Sequence, residues 1–131
     1  MINKLHFILY VNDQQRSTTF YKNVLEIEPQ INVPGMTEFE FRNGTILGIM
    51  PEGGIKKLLA GKIEDPARAR NIPRAEIYLM VDNPQKYLDR AIAIGAKELS
   101  RLQVRDWGDE AGYCLDPDCY IVAFAKKIQS N

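Results

Sequence analysis

The chain has 131 residues, 45% hydrophobic and 26% charged. That suits one compact folding unit able to bury roughly two-thirds of its unfolded surface. Lysine plus arginine equals aspartate plus glutamate at 17 each, so no overall field recruits nucleic acid or an acidic membrane surface. Two cysteines and one histidine exclude a disulfide scaffold and a structural Cys/His zinc site.

In chain order, Met1 to Lys4 runs straight into an apolar strand pattern, with no room for the basic region and cleavage site of a signal peptide. No apolar run approaches the roughly 20 residues of a spanning helix. A cytoplasmic protein with reduced, inert Cys114 and Cys119 is the expectation. A strand at 5–11 leads to a helix at 14–25, capped by Asn12 or Asp13. Ser17, Phe20, Val24 and Leu25 give this helix its apolar stripe. Strands are expected at 27–33, 37–42 and 45–50, the last two forming a hairpin around Asn43-Gly44. Residues 51–73, rich in Pro, Gly and charge, read as a linker with one short helix at 55–60. A strand at 75–81 follows. Pro84 suits the first turn of a helix running to Ile94, with Gly95 at its left-handed end and Tyr87, Leu88, Ala91 and Ile94 as its buried face. Strands are expected at 97–104, 110–115 and 120–126.

The two halves repeat one another. The strand ending at Val11 and the strand ending at Val81 stand 70 residues apart, and each precedes a helix and a hairpin, so the unit is duplicated. Strand alternation then assigns faces. Leu5, Phe7, Leu9 and Val11 belong against a helix, as do Ala75, Ile77, Leu79 and Val81. The other faces carry His6, Ile8 and Tyr10, and Glu76, Tyr78 and Met80. A helix covers one face of a sheet only, so the mixed faces line solvent or a cavity. The expected fold is α+β: two tandem βαβββ modules whose curved mixed sheets enclose a cleft. The modules cover 1–50 and 74–131 of a single domain spanning 1–131.

Two stretches carry a family resemblance. His6 to Asp13 with Ser17, Phe20-Tyr21 and Val24-Leu25, and Trp107-Gly108-Asp109 with Tyr113 and Leu115 to Asp118, resemble the opening and closing regions of the vicinal oxygen chelate superfamily. That superfamily includes glyoxalase I, bleomycin-resistance proteins and extradiol dioxygenases. The resemblance implies four possible metal-ligand positions, at His6, Gly48, Glu76 and Ala123, on the first and fourth strands of each module. In metal-dependent members such ligands leave open positions on a divalent ion, which chelates two neighbouring substrate oxygens. Gly48 and Ala123 have no donor. His6 and Glu76 are therefore vestigial, too few for a catalytic centre, and the expected cofactor is none, with a divalent metal at most weakly held. Cys119 stands where the family has glycine, which puts the local turn in question.

His6 reads either as a hydrogen-bonded polar residue or as a ligand contact. A carboxylate such as Glu76 on an inward face needs a partner, and the resemblance places the equivalent His6 opposite it as a structural or an acid–base pair. Tyr10, Tyr78 and Trp107 are candidate ligand-binding aromatics. Phe39 and Phe41 join them only if a two-residue Asn43-Gly44 turn sets the hairpin register; a three-residue Arg42-Asn43-Gly44 turn sends Glu38 and Glu40 to that face instead. Two functions follow: a small-molecule-binding protein for an aromatic or planar ligand, working as a homodimer, or a lyase, isomerase or dioxygenase-like enzyme built on His6 and Glu76. A purely protein-associating module is a third possibility.

Overall fold

The computed structural model describes residues 1–129; residues 130 and 131, the end of the second expected module, lie outside the described residues. The elements are β1 (His6–Val11), α1 (Gln14–Leu25), β2 (Ile31–Val33), β3 (Met36–Glu40), β4 (Ile46–Pro51), α2 (Glu52–Leu58), β5 (Glu76–Met80), α3 (Pro84–Ala93), β6 (Lys97–Val104), β7 (Asp109–Leu115) and β8 (Ile121–Lys127), with a 3-10 turn at Pro66–Ala69. None of the described helices is long and apolar enough to cross a membrane.

Two open four-stranded mixed sheets result, ordered β1-β4-β3-β2 and β5-β8-β7-β6. In each, the first strand of the module lies parallel to its last, and the remaining pairs are antiparallel. The tandem βαβββ architecture expected from the repeat is therefore present, element for element. The chain divides into two compact units: 1–22 with 26–70, and 71–131 with 23–25. The segment expected as a linker thus belongs largely to the first unit. There Arg70 donates through Nε to Glu52 Oε1 at 2.6 Å and through Nη2 to Asn12 Oδ1 at 2.9 Å.

Local chemistry explains the helix ends. Asp13 caps α1 by accepting from Arg16 N at 3.1 Å, and Asn83 caps α3 by accepting from Lys86 N at 3.3 Å, each satisfying a donor the helix cannot. Gly95 takes φ 104° just past α3, the left-handed stop that glycine permits without strain. Ile94, expected on the buried face of α3, is instead exposed, because it sits at the C-cap beyond the last helical turn. Leu5 is also exposed, as it precedes β1, whereas Leu9 and Val11 are buried as alternation requires.

The first core lies between α1 and the face of Leu9, Val11, Phe39, Leu47 and Ile49. At its seam the Thr37 hydroxyl shares a 2.8 Å hydrogen bond with Thr18, accepts from Gln14 Nε2 at 3.0 Å and donates to Asn32 Oδ1 at 3.2 Å. The second core packs Leu88 and Ala91 of α3 over Ile77, Val122, Phe124 and Cys114, with Tyr87 stacked on Phe124 at 5.6 Å. The last turn of α1 groups with this unit, where Arg90 donates Nε and Nη2 to Val24 O at 3.0 and 2.9 Å. Burial pushes the Cys114 thiol up to about 12, which removes the thiolate that reactivity needs.

Candidate functional site

Within each unit, strand pairing decides what the helix-free face displays. In the first, Glu40 pairs with Ile46, Glu38 with Gly48 and Phe39 with Leu47, and Phe41 N donates to Thr45 O at 2.9 Å. The turn is therefore the three-residue Arg42-Asn43-Gly44 form. Phe39 goes under α1, fully buried, and leaves the set of ligand-binding candidates; Phe41, on the same side by alternation, is half-buried at the turn. The reason is packing: this register buries a phenylalanine and leaves the glutamates on the face away from the helix, whereas the other would bury two carboxylates against α1.

Glu38 thereby shares a face with His6 and Ile8. Its carboxylate lies 3.8 Å from His6 Nδ1, with the Glu38 side chain only 15% exposed. Tyr10, on the same face, is exposed. Glu76, expected as a buried carboxylate in need of a partner, is exposed to solvent, so the desolvation cost that would demand one does not arise.

Two of the four positions that the resemblance implies as metal ligands, Gly48 and Ala123, carry no donor side chain. A Cβ added at Gly48 would lie 3.0 Å from Ile8 Cγ1 and 3.5 Å from Met36 Sδ, so that place is already occupied by apolar atoms. Ala123 is fully buried and paired with Tyr78 and Tyr113. Among the described residues no group of three or more His, Cys, Asp and Glu converges.

The second unit holds the more organised array. Tyr78, Tyr113 and Asp109 share the helix-free face, because Tyr78 pairs with Ala123, Ala123 with Tyr113, and 109, 111 and 113 alternate to one side of β7. Alanines at 111, 123 and 125, all fully buried, are small enough for the Tyr78 phenol to reach Asp109. Its OH donates to Asp109 Oδ2 at 2.7 Å and accepts from Trp107 Nε1 at 2.9 Å. Burial raises the Tyr78 pKa; the Trp107 N–H opposes the rise and the Asp109 carboxylate adds to it. Trp107, in the turn between β6 and β7, is 58% exposed although its indole N–H is fixed.

Arg105 lies over the Tyr113 ring at 5.0 Å and is held by Ala111 O at 2.9 Å, Ser100 Oγ at 2.8 Å and Arg101 O at 3.0 Å. Burial, then Glu76, raises the Tyr113 pKa, and Arg105 opposes this. Asp109 is 7% exposed, and its Oδ1 has no hydrogen-bond donor among the described residues. Lys127 Nζ stops 4.0 Å away. Sequence reasoning singled out Tyr78 and Trp107 as site candidates, whereas Asp109 entered only within the Trp107-Gly108-Asp109 stretch that carries the resemblance.

At the DPD turn, Cys119 adopts φ 67°, a left-handed backbone that glycine takes without strain. Asp116 Oδ1 accepts from Asp118 N at 2.8 Å and Tyr120 N at 2.9 Å, closing it.

Comparison with known proteins agrees with this architecture. A glyoxalase-related enzyme from Fulvimarina pelagi is 19% identical with a TM-score of 0.78, covering 94% of this chain and 86% of its own. A glyoxalase/bleomycin resistance protein/dioxygenase family enzyme from Burkholderia phytofirmans PsJN is 14% identical with a TM-score of 0.76, covering 94% and 97%. The lactoylglutathione lyase from Agrobacterium tumefaciens is 16% identical with a TM-score of 0.71, covering 93% and 91%. At these identities the likeness is one of fold. No curated protein matches the sequence significantly. The family model "Glyoxalase/Bleomycin resistance protein/Dioxygenase superfamily" matches residues 4–124, and the chain belongs to that superfamily.

Proposed function

We propose that this protein binds a small planar or aromatic molecule without a complete catalytic metal site, stacking it on Trp107 beside Tyr78. The observation that carries the reading is the state of Trp107: an exposed ring whose orientation is fixed by the hydrogen bond to Tyr78. A ring ordered beforehand spares a ligand part of the cost of immobilising it. Titrating Trp107 fluorescence with neutral fused-ring compounds should give saturable quenching. The same affinity in Trp107→Ala, measured by calorimetry, would overturn the assignment.

The reading includes a divalent metal that is absent or only weakly held, since Gly48 and Ala123 offer no donor. Stoichiometric metal in protein purified without chelator, lost on His6→Ala, would reverse it. A homodimer is also proposed, because β2 leaves an exposed sheet edge bearing Ile31 and Val33, which proteins tend to cover. Light scattering should return twice the 14.9 kDa chain mass; a monomer mass would reject it.

A second reading, acid–base catalysis by His6, draws on its 3.8 Å approach to Glu38. It substitutes Glu38 for Glu76 as the carboxylate that orients the imidazole.

A further inference from the structure

We infer that the ligand of the second unit's helix-free face carries a protonated amine, for which Asp109 is the counter-ion and Lys127 the side chain displaced. The inference rests on the proposed binding of a planar molecule at Trp107 and adds its charge.

The argument begins with the two oxygens of Asp109. Oδ2 accepts from the Tyr78 hydroxyl, which is itself held by the Trp107 indole, so the carboxylate cannot rotate freely. Oδ1 is buried and has no hydrogen-bond donor among the described residues. A buried carboxylate oxygen left in this state is costly, and a charged donor placed there gains a strong hydrogen bond.

The neighbouring cations do not fill the place. Lys127 Nζ is at 4.0 Å, beyond hydrogen-bond reach, and its side chain is 82% exposed, so little is lost when it moves away. Arg105 is committed to Ala111 O, Ser100 Oγ and Arg101 O. Glu76, raising the Tyr113 pKa from the same face, adds negative potential. Tyr78 bonds this carboxylate and Trp107 bonds Tyr78, and aromatic rings near a carboxylate favour an organic cation over a bare one. An anion would face the Asp109 and Glu76 carboxylates on this face.

Three probes of one shape test this: naphthylmethylammonium, naphthylmethanol and naphthoate, titrated by calorimetry into the whole protein. The ammonium should bind about tenfold or more tighter than the alcohol, the scale of one charge-assisted hydrogen bond, and naphthoate weakest. Asp109→Asn should bring ammonium and alcohol to parity. Lys127→Met, a change at an exposed side chain that keeps the fold, should tighten ammonium binding by removing its competitor. Equal binding of ammonium and alcohol, a preference that survives Asp109→Asn, or no gain in Lys127→Met would each overturn the inference. If the alcohol still binds and Trp107→Ala abolishes it, the planar-ligand reading stands without the charge. If none of the three binds, both readings fall.

Discussion

The two units solve the same packing problem with opposite chemistry. Thr37 pairs with Ile49 in the first ladder and Gly112 with Phe124 in the second, which are the same step of the repeat, and Thr18 and Leu88 hold the same place on α1 and α3. In the first unit the contact is a hydroxyl pair joined to Gln14 and Asn32. In the second it is leucine over glycine: a Cβ added at Gly112 would come within 2.8 Å of Leu88 Cδ2 and 3.2 Å of Leu102 N. One seam is held by directional bonds between buried polar groups, the other by close approach. A duplicated fold therefore does not require a duplicated core, only that each contact pair change together.

Mutations can break that comparison in order of effect. Leu88→Ala should cost about 2–5 kcal/mol, because it opens a cavity over a glycine that offers nothing to refill it. Gly112→Ala should cost about 1–3 kcal/mol by overpacking, and combining it with Leu88→Ala should recover part of both losses. Thr37→Val keeps the volume but strands the Thr18, Gln14 and Asn32 partners, so about 1–3 kcal/mol is expected. Urea unfolding measures all of these. A Leu88/Gly112 pair whose effects simply add would contradict the coupling.

The smallest change runs the other way. Left-handed backbone costs a side-chain-bearing residue about 1–2 kcal/mol, and glycine's extra freedom when unfolded costs about 0.5–1 kcal/mol. Cys119→Gly should therefore stabilise by up to about 1.5 kcal/mol. A loss of stability would mean that the 3.6 Å contact between the Cys119 thiol and Asn71 outweighs the strain.

What was legible in the sequence was whatever depends on neighbours along the chain. Asn12-Asp13 and Pro84 announced the helix starts, Gly95 a helix end, and alternation placed Leu9 and Val11 inside. The 37–50 hairpin was not decidable, because Asn43-Gly44 fits turns of two or three residues. The choice is made by Phe39 reaching the core under α1, a contact distant in sequence. The array around Trp107 was half legible for a similar reason. Trp107 and Tyr78 stood out as aromatics, but their link to Asp109 depends on β8 lying between β5 and β7. Glu76 misled because alternation assigns a side, not a depth.

The three-residue turn at Arg42-Asn43-Gly44 also bears on how such a protein can change over generations. Deleting one codon there would invert every side chain of β3, driving Glu38 and Glu40 into the core and Phe39 into water. Length variation is thus closed at this loop, although surface loops elsewhere accept it readily. What β3 itself contributes to this face can therefore change only by point substitution at 36, 38 and 40, one residue at a time and with the frame of the hairpin unchanged.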